Sequence, residues 1–178
     1  DQRRLVFFIG DPAMKLSIPK PNIIITSIND IPIQDYDSSL RGLDLINIKG
    51  EVHNDNGSRI DSYQGELMAT IFDKEIDRST LGNDGTTDNN GNPIILNFNT
   101  LGEVLFRGKS SVTDGFFEFN FVVPKDVGME VDNGKFSFYS KQNSSLEDRN
   151  GYDLSVLIGG INENAEADDI GPEIDLYM

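Results

Sequence analysis

The stretch FFEFNFVVP, residues 116–124, carries the strongest strand signal in the sequence. Three phenylalanines and a valine occupy every second position, and a strand places such positions on a single face. These residues are Phe117, Phe119, Phe121 and Val123. Pro124 ends the run, because proline cannot donate a hydrogen bond to a strand ladder. The period of two predicts a strand with one face in a core and the other in water.

A second strand is predicted just before this one, in EVLFRGKSSV (103–112). Asp114 and Gly115 follow it, and Asp-Gly is favoured in the two-residue turns that connect neighbouring strands. The sequence therefore predicts a tight turn at Asp114-Gly115, from which the phenylalanine-rich strand begins.

Two earlier runs alternate in the same manner, INIKGEVH (46–53) and YQGELMATIFD (63–73). Asn56-Gly57 lies between them and is a strong hairpin signal, so we expect the two runs to pair antiparallel. Further strand-like runs occupy 134–141 and 151–160, and no stretch has a convincing helical period. We expect an all-β fold, namely an immunoglobulin/fibronectin-like antiparallel β-sandwich of about seven strands.

The composition disfavours several classes of function. Fifteen basic and thirty acidic residues give a net charge of −15, which argues against nucleic acids as partners because phosphate binding needs clustered lysine and arginine. The sequence contains no cysteine, so disulfides, thiolate metal sites and cysteine nucleophiles are excluded within it. No apolar run reaches the length of about eighteen residues that a membrane helix needs, and we expect no membrane insertion.

His53 is the only histidine, and its strand register puts it on the polar face beside a predicted turn. We expect an exposed hairpin histidine, because a general base needs an oriented nucleophile and nothing links a serine or threonine to His53. The sequence has no phosphate-binding loop, dinucleotide fingerprint or HExxH motif. We therefore assign no catalytic residue and no cofactor-binding residue to it.

The loop NDGTTDNNGN (83–92) contains candidate metal ligands, Asp84, Asp88 and Asn90. Oxygen ligands at such positions suit calcium, although the EF-hand spacing and its bidentate glutamate are absent. Turn-forming asparagine and aspartate explain the same composition without metal. The acidic stretch 162–172 has the same two interpretations, so calcium is the one cofactor left open.

The beginning of the chain differs from the rest, because FFIGDPAMKL (7–16) is an apolar run broken by Gly-Asp-Pro. The longer stretch IGDPAMKLSIPKP (9–21) resembles the closing segment of gingipain-type cysteine peptidase domains. In that family the caspase-like catalytic domain commonly ends in a Gly-Asp-Pro-Ala/Ser-hydrophobic-basic-Leu stretch before an immunoglobulin-like domain begins. The matching residues are Gly10, Asp11, Pro12, Ala13, Met14, Lys15 and Leu16.

Nearly the whole chain resembles the region downstream of the catalytic domain in the type IX secretion system sortases, the PorU family of Bacteroidota. The stretches that carry this resemblance are 20–33, 46–52, 99–127, 133–142 and 157–178. The resemblance implies three parts. Residues 1–19 would be the C-terminal remnant of a gingipain-type catalytic domain, 20–160 the β-sandwich domain, and 161–178 an acidic linker with the first strand of a following β domain.

The resemblance also implies a function for the parent protein. The parent would be an outer-membrane-associated cysteine peptidase and transpeptidase that removes the C-terminal sorting signals of exported cargo and can join the cargo to surface lipopolysaccharide. Its catalytic histidine and cysteine would lie upstream, so the resemblance carries no catalytic residue onto this sequence. The sandwich would brace the catalytic domain and offer a docking surface for an outer-membrane partner protein or for cargo. The expected location is the outer membrane or cell surface.

Two other functions remain open from the residues alone. One is an independent cell-surface adhesion or carbohydrate-binding β-sandwich, which tandem β repeats upstream of Asp1 would favour. The other is a β-sandwich enzyme of glycosidase type, which needs convergent carboxylates in a concave site.

Overall fold

The computed structural model describes residues 21–145 and 147–165, so the predictions for residues 1–19 and for the part of 161–178 beyond Ala165 lie outside the described residues. Within those ranges the chain is all-β apart from a short 3-10 turn at Ile33–Asp35, and no helix there is long and apolar enough to cross a membrane. The strands are β1 (Ile23–Ile28), β2 (Ile31–Pro32), β3 (Ser39–Gly42), β4 (Leu45–Val52), β5 (Gly65–Phe72), β6 (Ile76–Ser79), β7 (Asn97–Thr100), β8 (Val104–Thr113), β9 (Phe116–Val122), β10 (Asp132–Asn133), β11 (Lys135–Gln142), β12 (Asp148–Asp153) and β13 (Leu157–Ile161).

Eight strands form the largest sheet, in the order β12-β11-β5-β8-β9-β4-β1-β2. All neighbours in this sheet are antiparallel. A second sheet has the order β10-β13-β3, in which β13 runs parallel to β3, and β6 pairs with β7 alone in a third. The parallel pair sets Ile158 opposite Leu40, and both side chains are fully buried.

The large sheet curls until its distant strands β1 and β12 meet. Just before β1, the backbone N–H of Asn22 donates to the carbonyl oxygen of Asn150 in β12 at 2.7 Å. Gly151 of β12 lies against the carbonyl oxygen of Ile23, where a Cβ atom would collide with it. The structure confirms the all-β class. It shows one curled sheet of eight strands, and the immunoglobulin/fibronectin-like sandwich of about seven strands stays a prediction.

The alternation in FFEFNFVVP is confirmed. Its predicted inner face is buried, with no side chain more than 8% exposed across Phe117, Phe119, Phe121 and Val123. Phe106 of β8 stacks on two of these rings, with centroid distances of 5.4 Å to Phe119 and 4.9 Å to Phe121. Burying one such side chain stabilises a fold by about 1.5–3 kcal/mol, so these rings form a large part of the core.

The turn predicted at Asp114-Gly115 is also confirmed. Both residues have positive φ, 53° and 75°, as the two central residues of a type I′ hairpin turn require. Beyond the turn, β8 and β9 pair only at Val112 with Phe117 and at Thr113 with Phe116. The two strands then separate, and the sheet turns its corner there.

The predicted pairing of 46–53 with 63–73 is wrong. A local turn does form, since His53 bridges Arg59. However, β1 and β9 occupy the two edges of β4, while β5 lies between β8 and β11. The segment that connects β4 to β5 contains Tyr63, which is only 1% exposed.

Replacing Gly151 with alanine should destabilise the domain by about 1–3 kcal/mol, the usual cost of forcing atoms into a packed site. The added methyl group would meet backbone atoms of Ile23, which cannot rotate away. Gly128→Ala is the matched control, because the nearest atom to its Cβ would be Lys74 Nζ at 3.6 Å. Urea denaturation measures both variants, and equal stabilities would contradict the contact between β1 and β12.

Candidate functional site

His53 belongs to a cluster of charged side chains. Its Nε2 lies 2.7 Å from Glu51 Oε2, and Arg59 Nη1 lies 3.5 Å from Glu51 Oε1. Arg59 also covers the ring of Phe116, with 3.8 Å between the guanidinium carbon and the ring centroid. In the described ranges no hydroxyl group hydrogen-bonds to His53. The arrangement is an ion-pair cluster without a nucleophile.

The expectation of an exposed histidine is wrong, because only 16% of the His53 side chain is accessible. The approach of the chain just before β1 explains this burial. The backbone N–H of His53 donates to the carbonyl oxygen of Asn22 at 2.6 Å, and Asn22 itself donates to Asp55 at 2.9 Å. The sequence could not reveal this neighbour, which lies about thirty residues away along the chain.

The candidate calcium ligands lie in an exposed loop where Asp84 and Asp88 act as turn acceptors. Asp84 Oδ1 accepts from the Thr86 hydroxyl and backbone N–H, which together lower the pKa of Asp84. Asp88 Oδ1 accepts from the N–H groups of Asn92 and Asn90 at 2.9 and 2.8 Å, which lower the pKa of Asp88. Among the described residues, no group of three His, Cys, Asp or Glu side chains is placed to hold a metal ion. Calcium at Asp84, Asp88 and Asn90 stays a prediction.

A groove of about 410 Å³ in the described part of the chain is lined by many charged groups. It lies between β10, β11 and the base of the arm, which is the name used here for residues 76–100: β6, β7 and the loop between them. Its carboxylates come from separate parts of the chain, so no sequence spacing could have indicated the site. They belong to Asp73, Glu75, Asp77, Glu130 and Asp132.

Several of these carboxylates are already engaged within the protein. Asp73 accepts from Lys74 Nζ at 2.8 Å, and Glu75 accepts from the Asn99 amide at 3.0 Å. Asp132 accepts from the neighbouring backbone N–H at 2.7 Å. Glycoside hydrolysis needs one carboxyl as an acid and another across the scissile bond, and these contacts instead join acids to structural donors. Lys74 and Lys135 also line the groove, and no histidine does.

The lowered pKa of Asp88 should be measurable through the backbone amides that donate hydrogen bonds to its carboxylate. Because the folded state favours the charged form, the hydrogen bonds are present at neutral pH and are lost as the pH falls through the lowered pKa. We expect the Asn90 and Asn92 amide resonances to shift with a midpoint below about 3.9, the usual value for aspartate. An NMR pH titration measures this, with Asp88→Asn as the control that abolishes the transition. A midpoint at or above the usual value would contradict the described bonds.

Comparison with known proteins yields a likeness in structure alone. No family model matches the chain, and no curated protein matches it. The crystal structure of dimeric latent PorU from Porphyromonas gingivalis is similar, with a TM-score of 0.65 and 24% identity over 89% of this chain. Spo0M, a sporulation control protein from Bacillus subtilis, aligns over 78% of this chain and 48% of its own, with a TM-score of 0.33 and 10% identity. The chain spans 14% of the PorU chain, so it shares its fold with one part of that protein.

Proposed function

We propose that this chain is a non-catalytic β domain of a type IX secretion sortase similar to PorU, where it braces the catalytic domain and offers a docking surface. The observation that carries the proposal is the fold likeness to one part of PorU, which extends over 89% of this chain. The Gly10–Leu16 stretch supports it, because it resembles the end of a gingipain-type catalytic domain and directly precedes the β domain.

The chemistry of the described residues supports a non-catalytic role. A cysteine peptidase needs a thiolate activated by a base, and the sequence contains no cysteine. Its one histidine is bonded to Glu51. Removal of sorting signals from exported cargo would therefore be performed by residues elsewhere in the parent protein. The proposed setting is the outer membrane or cell surface, with an outer-membrane protein and cargo as further partners.

A bracing role requires a domain that is rigid by itself. The curled sheet closes through the contact of β1 with β12, and a continuous buried cluster fills its interior. A sheet whose distant strands are joined around a packed core resists bending better than an open sheet. The backbone hydrogen bonds and the side-chain packing hold β1 and β12 together. This construction supports the proposed bracing role, which needs a rigid domain.

The purified chain should not cleave a peptide that carries a C-terminal sorting signal, whereas the full-length parent should. A fluorogenic peptide assay measures both, and the parent with its catalytic cysteine replaced by alanine is the control for contaminating peptidases. Cleavage by the 178-residue chain alone would overturn the proposal. The sequence encoded upstream of Asp1 distinguishes this proposal from the adhesion alternative. A caspase-like domain there would favour the sortase, whereas tandem β repeats would favour the adhesion protein.

The brace itself can be tested in the parent by unfolding this domain selectively. Phe136 of β11 is fully buried, and Phe136→Ala should cost about 3–5 kcal/mol. We expect this variant to lose most of its cleavage activity at 37 °C while the catalytic residues are unchanged. Tyr139→Ala is the control, because Tyr139 lies on the same strand and is 45% exposed. Full activity in the Phe136 variant, together with proteolytic evidence that this domain is unfolded, would show that no brace is needed.

A further inference from the structure

The outer edge of β7 is an open strand edge that lacks the usual protection. Within the described part of the chain, β6 and β7 pair only with each other. Proteins commonly place charged residues or proline on such edges, which prevents another chain from pairing there. β6 carries Asp77 and Arg78, whereas the stretch IILNFNTL (94–101), which contains β7, has neither a charge nor a proline. The edge of β7 is therefore the side of the arm to which a further strand can pair.

The backbone groups of β7 alternate between the partner strand and the open edge. The N–H of Thr80 donates to the carbonyl oxygen of Leu96 at 2.9 Å, and paired residues in an antiparallel ladder alternate between hydrogen-bonded and non-hydrogen-bonded pairs. In this register the pair of Ser79 with Asn97 is a non-hydrogen-bonded one. The backbone N–H and C=O groups of Asn97 and Asn99 thus point away from β6, and no backbone group in the described ranges hydrogen-bonds to them.

Exposed apolar side chains accompany these free backbone groups. Leu96 and Phe98 are two positions apart and share one face, and they are 62% and 47% exposed. Ile94, Ile95 and Leu101 beside the strand are exposed as well. Single exposed apolar residues are ordinary, but a contiguous set marks an interaction surface. An added strand would cover some of these side chains with its own.

The charge around β7 restricts what the added strand can be. Between residues 75 and 106 the chain has five acidic residues and one basic residue, Arg78. The side-chain amide of Asn99 donates to Glu75 at 3.0 Å, and Asp77 lies opposite Asn99, so two carboxylates lie near the middle of β7. A second copy of this chain would bring the same acidic arm, and like charges oppose such pairing. A segment with lysine or arginine side chains would instead be attracted.

We infer that the open edge of β7 binds an extended segment of a separate partner protein as an additional strand, and that this segment alternates apolar with lysine or arginine side chains. Main-chain hydrogen bonds would supply affinity in this mode, and the alternate side chains would supply specificity. The inference rests on the proposed docking role, and it names the surface and the chemistry of the segment that docks there.

Amide hydrogen exchange, measured by NMR on the full 178-residue chain, locates the added strand. The probe is a synthetic peptide in which valine and lysine alternate over eight residues. At saturating peptide we expect the backbone amides of Asn97 and Asn99 to exchange about tenfold more slowly or better, because new hydrogen bonds protect them. The amide of Ser79, on the opposite edge of the arm, is the matched control and should not change. A peptide with glutamate in place of lysine should give no protection.

Proline variants test the backbone contact. Asn97→Pro removes an outward N–H of β7 and leaves the ladder between β6 and β7 intact, since that N–H takes no part in it. Its affinity for the valine-lysine peptide, measured by fluorescence anisotropy, should fall about tenfold, the effect of one lost hydrogen bond. Ser79→Pro is the matched control on the other edge, and its affinity should stay within about twofold of the original. Should proline disrupt the arm, the unchanged chain is tested with a peptide whose central amides are N-methylated, which should not bind.

Three results would overturn the inference: no protection at Asn97 and Asn99, equal binding of the N-methylated peptide, or protection that rises with the concentration of the chain alone, which would indicate a second copy. The peptidase assay on the parent is independent of these measurements. An unprotected edge with an active parent removes the strand-addition site alone, and a protected edge with an inactive parent removes the proposed function alone.

Discussion

The stacking of Phe106 on Phe119 and Phe121 holds together the two halves of the curled sheet. β8 and β9 share only two register pairs beside their turn, so hydrogen bonds do not join them along most of their length. The aromatic rings fill the space between the separating strands instead. These rings belong to a larger buried cluster, which also includes residues of β1, β4, β5 and β11 and fills the interior of the curled sheet.

Burial explains which parts of this fold could be predicted from the sequence. Phe117, Phe119 and Phe121 alternate because one face of β9 is in the core, and that period is visible without a structure. The strands of the arm bury almost nothing, so their sequence has no such period and does not indicate them. The turn after His53 is local, and the sequence predicts it. Which strands pair with β4, by contrast, depends on contacts between distant parts of the chain. Local sequence does not specify that choice.

The candidate site illustrates the same limit for function. The carboxylates of the groove come from residues 73–77, 130 and 132, and only the approach of the arm to β10 places them together. The loop aspartates were recognised from sequence as turn formers or calcium ligands, and their hydrogen bonds to Thr86 and Asn90 show the turn role directly. The proposed role rests on the domain as a rigid support, which agrees with the absence of a nucleophile beside His53 in the described ranges.

The parallel pairing of β3 with β13 has a consequence for how the chain acquires its structure. Leu40 and Ile158 meet across almost the whole length of the domain, as do Asn22 and Asn150. Contacts between such distant residues carry a large loop-closure entropy and form slowly. The core is therefore completed only after β13 has been synthesised, when Ile158 can pack against Leu40.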